Sequence, residues 1–442
     1  MKRNSLFPPR RFPMVSRCSW LALGVTALAG ITAATAAEVK EGKAAMSDYS
    51  DDAPGVVRKI KVSDLPAPYA TESAREMARV SDRPRDALPR VPEGFEVTLF
   101  ATGFKQPRVL ITTPNGDILV ADSDGSQVRL LRDADGDGRA EINEVLVSGL
   151  DRPFGLALYP VGDAPTHLYI ANTGEILRVP YRSGDLKISG EKQRIAKLSS
   201  GGRLTGGGHW TRDLAFSKDG KTLYASVGSK SNVDDDDAEK DRARILQFDP
   251  EGQGERVFAW GIRNPVGLAI DPSTGELWTS VNERDGLGDD LPPDYITKVK
   301  PDGFYGWPWY YLGSNQDPRH PGKRPELAQQ VIVPDVLIQS HSASLDLAFY
   351  DGQQFPERFR GGIFACLHGS WNRAKRTGYK VIFVPVKNGS ADGSYEDFMT
   401  GFVTADGKVW GRPVGVTVGK AGELYISDDG SKSVWKVTYQ KK

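Results

Sequence analysis

The apolar and polar positions of this chain repeat as a two-strand unit. An arginine or polar residue stands at or beside a proline, a short apolar run follows, then a turn, then a second apolar run. The copies read QPRVL at 106–110 with DILVA at 117–121, RPFGLA at 152–157 with HLYIAN at 167–172, and TRDLAF at 211–216 with TLYASVG at 222–228. They continue as NPVGLA at 264–269 with ELWTSV at 276–281, a degenerate SLDLAF at 344–349 with GIFACL at 362–367, and RPVGVT at 412–417 with ELYISD at 423–428. β-branched and aromatic residues bounded by turn pairs such as Asn115-Gly116, Asp219-Gly220 and Ala421-Gly422 make each run a strand. Further strands follow at 176–179 and 434–437. Two hairpins per copy form a four-stranded sheet. Six copies over about 350 residues leave close to 58 residues for each, the size of a propeller blade with its loops. The pattern therefore predicts an all-β, six-bladed β-propeller over residues 92–442. Radial repetition leaves few open edges, and the alternating run at 95–100 is expected to pair with the last blade and close the ring. Two β-sandwiches are the alternative, which the even repetition disfavours.

Outside the repeats the pattern changes. Lys2, Arg3, Arg10, Arg11 and Arg17 precede an apolar run at 20–31, too short to span a bilayer, and Ala34-Thr35-Ala36 has the small-x-small form of a cleavage site. Residues 1–36 read as an export signal, with an uncleaved anchor as the alternative. The chain is expected in the periplasm or outside the cell, by a general or a twin-arginine route. Residues 37–91 are charged and rich in Ala, Pro and Ser, without period-two alternation. They read as an N-terminal extension that packs on the surface or is partly disordered. Of the two cysteines, Cys18 and Cys366, the first lies in the leader, so an intrachain disulfide is not expected in the mature chain. Lys+Arg and Asp+Glu both number 57, so net charge points to neither nucleic acid nor membrane.

In a propeller the innermost strands line the channel, and residues at their starts gather at one mouth. Here those are Arg108, Arg152, His209 with Arg212, Arg263 with Asn264, and Arg412. Arginines recurring at this point in a charge-neutral chain suit an anion with several carboxylates or phosphates. Each could instead pair with an acid of the next blade. His209 follows three glycines at an inner-strand start and is a candidate general base, or else a structural histidine bonded to a loop. His368, Trp371, Asn372, Arg373, Lys375 and Arg376 follow the fifth copy. They combine a stacking surface, amide donors and cations, which suits a flat polyanion or a solvated basic loop. Asp133, Asp135 and Asp137 stand at alternate positions with Gly136 and Gly138 to permit the turn, like the first half of a calcium loop; the distal bidentate glutamate of a full loop is lacking, although Glu141 or Glu144 could serve. They hold a metal or form an acidic hairpin turn. The aromatic stretch GFYGWPWYY at 303–311 floors a sugar site or packs internally.

Together GIRNPVGLA (261–269), YGWP (305–308), GGHWTRDLAF (207–216), LHGSWNR (367–373) and VWGRPVGV (409–416) resemble the glucose/sorbosone dehydrogenase family of soluble pyrroloquinoline-quinone (PQQ) enzymes, nearest its sorbosone and pyranose dehydrogenase branch, over about residues 92–439. The resemblance implies a planar PQQ triacid held by Arg108, Arg263, Asn264, His368, Trp371, Asn372, Arg373, Lys375, Trp410 and Arg412. It implies that His209 takes the proton of a sugar's anomeric hydroxyl as hydride passes to the quinone, and that Arg263 stabilises charge on the quinone oxygen. It also implies a Ca2+ on that oxygen, taken by backbone carbonyls near Arg284 and Asp285, acting as a Lewis acid. The chain departs from the glucose-oxidising members at two points. Glu283-Arg284-Asp285-Gly286 stands where they carry Gly-Pro, and Gly208 where they carry an aspartate. With no Cys-x-x-Cys-His haem motif, electrons are expected to leave to an external acceptor, a cytochrome or a quinone. A calcium-dependent lactonase and a non-catalytic binding propeller are the competing functions on this architecture.

Overall fold

The computed structural model describes residues 38–200 and 208–440. The leader at 1–36 with Cys18, and Gly206 and Gly207 ahead of His209, lie outside the described residues. Six antiparallel meanders stand around a common axis. Blade 1 is Pro107–Thr112, Ile118–Asp122, Gln127–Arg132 and Ile142–Ser148; blade 2 is Leu156–Tyr159, His167–Ala171, Glu175–Pro180 and Gln193–Lys197. Blade 3 is Leu214–Phe216, Leu223–Val227, Arg244–Phe248 and Arg256–Trp260, with Gly303–Phe304 added in parallel at its outer edge. Blade 4 is Pro265–Ile270, Leu277–Val281, Asp294–Lys298 and Val336–Ile338, and blade 5 is Ser344–Phe349, Ile363–Leu367, Lys380–Val384 and Ser394–Met399. Blade 6 has Pro413–Val418, Leu424–Asp428 and Ser433–Tyr439, and takes its fourth strand from Phe95–Thr102, paired antiparallel with Ser433–Tyr439. The expected closure is thus observed, and each pair of repeat runs forms the first two strands of one blade.

The second strands are buried on both faces; Ile118, Leu119, Val120 and Ala121 are all fully covered. A strand sandwiched between neighbouring blades has no solvent face, so its sequence is a continuous apolar run rather than an alternation. The first strands bulge near their starts, between Pro107 and Leu110, Pro265 and Gly267, Ser344 and Leu347, and Pro413 and Val416. A bulge leaves ladder groups unpaired, and here the next blade takes them up. Leu268 N–H donates to Asp213 Oδ2 at 2.8 Å, Val416 N–H to Asp346 Oδ2 at 3.0 Å, and Gly155 N–H to Arg212 O at 2.9 Å. Ser280 and Ser427 hydroxyls donate across to Leu345 O and Arg108 O. The approach is close: a Cβ on Gly267 would stand 2.6 Å from Leu345 O. Above these ties Val109, Phe154, Trp210, Val266, Leu345 and Val414 form an apolar plug across the axis.

Below the plug, Asp213 and Asp346 both line an axial cavity of about 230 Å3. Burial, and for Asp213 the facing Asp346, raises both carboxyls, Asp346 to about 7.

Residues 38–91 cross the propeller as an irregular strap with two short strands. Val57–Lys59 pairs antiparallel with Ser394–Met399, and Val39–Glu41 pairs parallel with Val57–Lys59, so blade 5 gains two strands. The strap is pinned by a fully buried ion cluster. Arg58 pairs with Asp397 at 2.6 Å and Asp52 at 2.9 Å, and Lys380 with the same two carboxylates at 2.8 and 2.7 Å. Two cations and two anions balance, and Tyr395, Gln339 and main-chain groups surround them.

Two outcomes follow from these buried charges. Arg58→Ala strands a buried carboxylate pair, so a loss of about 3–5 kcal/mol is expected, read as a lowered urea midpoint. For the axial pair, folded carboxyl values above the unfolded 3.8 mean that stability is lost as pH rises through that window. Asp213→Asn keeps an acceptor for Leu268 and removes one charge. It is therefore expected to raise the thermal midpoint at pH 8 and to leave it unchanged near pH 4; the same gain at both pH values would contradict like-charge repulsion.

Candidate active site

The starts of the first strands and the ends of the second strands meet at one mouth. Asp429, just past Leu424–Asp428, organises one side of it. Its Oδ2 accepts from Arg108 at 2.7 Å; its Oδ1 lies 2.9 Å from His368 Nε2 and 2.9 Å from Arg412 Nε. Three blades, 1, 5 and 6, thus converge on one carboxylate. Burial alone would raise Asp429, but His368, Arg108 and Arg412 hold it far below the usual carboxylate range. Burial, followed by repulsion from Arg412 and Arg152, outweighs the pull of Asp429 and lowers Arg108. Arg152 stacks on Trp210, its guanidinium carbon 3.8 Å from the ring centroid, and reaches Asp124 at 3.8 Å. Arg108 lies 5.5 Å from the same ring. Two guanidiniums, Arg108 and Arg412, on the one buried carboxylate of Asp429 leave an excess of positive charge, the condition for holding an anion.

Trp210 connects this wall to His209. His209 Nδ1 lies 2.9 Å from Ser229 O and 3.1 Å from Ser229 Oγ. The Ser229 hydroxyl donates its single hydrogen to Ser231 O at 2.7 Å. Both neighbours of Nδ1 are therefore acceptors, so Nδ1 carries the proton and Nε2 keeps its lone pair. Burial, and then the charge of Arg263, push His209 down to about 3, so the ring is a neutral base at physiological pH. Its main chain is held as firmly: the His209 carbonyl accepts from Arg212 at 3.0 Å and Arg242 at 2.8 Å. Asn264 packs beside it, and its buried amide oxygen has no partner. Gly228 makes this possible, since a Cβ there would lie 2.2 Å from Asn264 Oδ1 and 2.7 Å from His209 Cβ.

Arg263 forms the third wall, and not as expected. Nε donates to Asn232 O at 3.0 Å, Nη1 to Asn282 O at 3.2 Å and Glu283 O at 2.7 Å, and Nη2 to Asn232 Oδ1 at 3.0 Å, with Asp285 Oδ2 at 3.7 Å. Four hydrogen bonds to protein oxygens, with the Asp285 carboxylate at ion-pair distance, tie the guanidinium to the two loops; Arg263 acts on His209 through its charge. Asp285 also faces His341, whose Nδ1 is 3.4 Å from Oδ1 and whose Nε2 donates to Gly288 O at 2.9 Å. Burial opposes charge on both, yet the pair raises His341 and lowers Asp285. His341 belongs to no repeat or motif, and nothing in its sequence context marks it.

The expected calcium position does not fit these residues. The carbonyls of Asn282 and Glu283 are taken by Arg263, that of Asp285 accepts from Asn232 Nδ2 at 2.9 Å, and the Arg284 side chain pairs with Asp317 at 3.1 Å. A PQQ-like triacid does fit, because Arg108 and Arg412 share the single Asp429 carboxylate and Arg108 Nε is buried without a partner.

Residues 89–301 and 323–440 match the TrAA12-like family. The chain belongs to the TrAA12-like family. It is 26% identical over 363 residues to an uncharacterized protein of Borreliella burgdorferi, covering 80% of this chain and 91% of that one. It is 26% identical over 416 residues to the PQQ-dependent pyranose dehydrogenase of Coprinopsis cinerea, covering 78% of this chain but only 54% of the fungal enzyme. Among solved structures, the calcium structure of the Trichoderma reesei Carbohydrate-Active Enzymes Family AA12 protein superposes with a TM-score of 0.69 at 20% identity, over 84% of this chain and all of that one. That likeness speaks for the fold.

Within this TrAA12-like propeller, other expected site residues stand elsewhere. Asn372 accepts from Gly286 N–H at 2.8 Å and donates to Ala74 O at 2.6 Å; Arg373 binds Asp290 at 2.7 Å and Met46 O. Lys375 is 81% exposed and 3.4 Å from Asp48, and half-exposed Trp371 gives its carbonyl to Glu76 N–H. The strap has claimed this loop's polar groups. Trp410 is buried against Phe402 and Trp435, its N–H on Gly401 O, and is core rather than ligand wall. Asp133, Asp135, Asp137 and Glu141 do converge, their ligand atoms within 4.8 Å of one another, but in the turn between the third and fourth strands of blade 1, on the face opposite the mouth. Trp307, Tyr310 and Tyr311 are buried, and the Trp307 N–H braces Asn232 O at 3.0 Å, so the aromatic stretch packs internally.

A depressed histidine has a sign that can be checked. The unfolded chain takes up a proton near pH 6.5 that folded His209 refuses until about 3, so this group costs stability as pH falls through that window. NMR of the histidine ring is expected to show His209 as the neutral Nδ1–H form from pH 8 down to 5; titration near 6.5 would contradict the site as described.

Proposed function

We propose that this chain is a PQQ-dependent sugar dehydrogenase of the TrAA12-like family, oxidising an aldose, pyranose or sorbosone-like sugar and passing electrons to an external cytochrome or quinone. The observation that carries this reading is the meeting, across Trp210, of two arginines that share one carboxylate, Arg108 and Arg412, with a neutral histidine whose Nε2 has no hydrogen-bond partner among the described residues. Bound PQQ would supply a two-electron, hydride-accepting quinone. Arg108, Arg152 and Arg412 would hold its carboxylates, with Asp429 fixing Arg108 and Arg412 in place. His209 Nε2 would take the proton from the sugar's anomeric hydroxyl while the hydride on the carbon that bears it goes to the quinone, and the Nδ1–H on Ser229 O would spread the charge that arrives. The basic, apolar and small-residue leader at 1–36 supports a periplasmic or secreted site of action.

The reading is tested with purified protein, PQQ and a dye acceptor against a panel of sugars. His209→Ala is expected to bind PQQ as the native chain does while dye reduction falls by about 10²–10⁴-fold, the worth of a general base. Absence of saturable PQQ binding by the native chain overturns the assignment.

A further inference from the structure

The oxygens around Arg263 form a set of unusual composition. Two main-chain carbonyls of the loop after blade 4's second strand, Asn282 O and Glu283 O, and one from the corresponding loop of blade 3, Asn232 O, point at one centre together with Asn232 Oδ1 and, at longer range, Asp285 Oδ2. Oxygens from two loops converging on one buried point, with a carboxylate at the edge, are what a hard divalent cation selects. Here the centre holds a guanidinium.

We infer that Arg263 is the built-in cation of this site: its guanidinium fills the carbonyl cage and joins the two loops, so the mouth binds a polyanionic cofactor without a divalent metal at that position. Two further features agree. The Asp285 carboxylate is already flanked by two cationic partners, Arg263 and His341, so little negative charge remains to attract an ion. The Asn232 side chain closes the cage from its other end, accepting Asp285 N–H and donating to Asp285 O, both at 2.9 Å. A metal entering there would meet a resident positive charge in a site shielded from water.

The inference rests on the proposed cofactor only for the identity of the polyanion; the cage can be tested without it. The experiment uses the mature chain, treated with EGTA, carrying Asp135→Asn and Asp137→Asn so that calcium cannot act at the acidic turn on the opposite face. CaCl2 is expected to leave its thermal midpoint unchanged, and PQQ, followed by fluorescence quenching, is expected to bind equally with and without CaCl2. In the same background Arg263→Ala empties the cage, and CaCl2 is then expected to raise the midpoint. A calcium-dependent rise with Arg263 in place, or PQQ binding that weakens tenfold or more without calcium, overturns the inference. So does a folded Arg263→Ala chain indifferent to calcium. If that variant does not fold, the chain retaining Arg263 decides the matter by itself. No PQQ binding in either condition defeats the proposed function instead, and leaves the cage to be judged by the thermal measurement.

Discussion

One ion cluster lies at the seam on which both the ring and the mouth depend. Asp429 closes blade 6, Arg412 opens it, Arg108 belongs to blade 1, and His368 follows the second strand of blade 5. A carboxylate this deeply buried is tolerable only if its charge is met. Satisfying it draws three blades together at the point where the strand from the N-terminal side closes the sheet. The same arrangement leaves positive charge in excess at the mouth, because Arg108 and Arg412 share one carboxylate. Closure and affinity for an anion are thus two consequences of one arrangement.

The base is made by the opposite device. Among the described residues no carboxylate hydrogen-bonds His209, and Asp285 acts on it only through its charge. Its proton is placed by two oxygens of Ser229, its main chain is clamped by Arg212 and Arg242, and burial together with the Arg263 charge keeps the ring neutral. A histidine paired with an aspartate would be pulled toward the cation. One resting on a carbonyl keeps its tautomer without gaining a proton, which suits a group that must accept one. Gly208, where glucose-oxidising relatives by resemblance carry an aspartate, belongs with this scheme.

The strap at 38–91 changes the meaning of the loop at 368–376. Met46, Asp48, Ala74, Glu76 and Met77 take its backbone and side-chain groups one after another, so Asn372, Arg373 and Arg376 serve to fasten the strap to the rim. The buried Arg58–Asp397–Lys380–Asp52 cluster anchors the strap's other end in blade 5. The mouth is therefore walled partly by a segment without any repeat in it, and the shape offered to a sugar owes something to that segment.

The chain by itself determined the number of blades, the strands in each and the closure, because periodic burial leaves periodic apolar runs. It also marked Arg108, Arg412 and His209, since a recurring position in the repeat is a recurring position in space. Only the tertiary structure decided which oxygen each cation meets. Asp429 as the shared partner, the carbonyls around Arg263, the His341–Asp285 pair and the loss of Asn372 and Arg373 to the strap all join residues far apart in sequence. Trp410 went to the core because Phe402 and Trp435 offered a dry surface there. Periodicity reports whether a position is covered; it carries no record of what covers it, and charge, unlike burial, is settled by that neighbour.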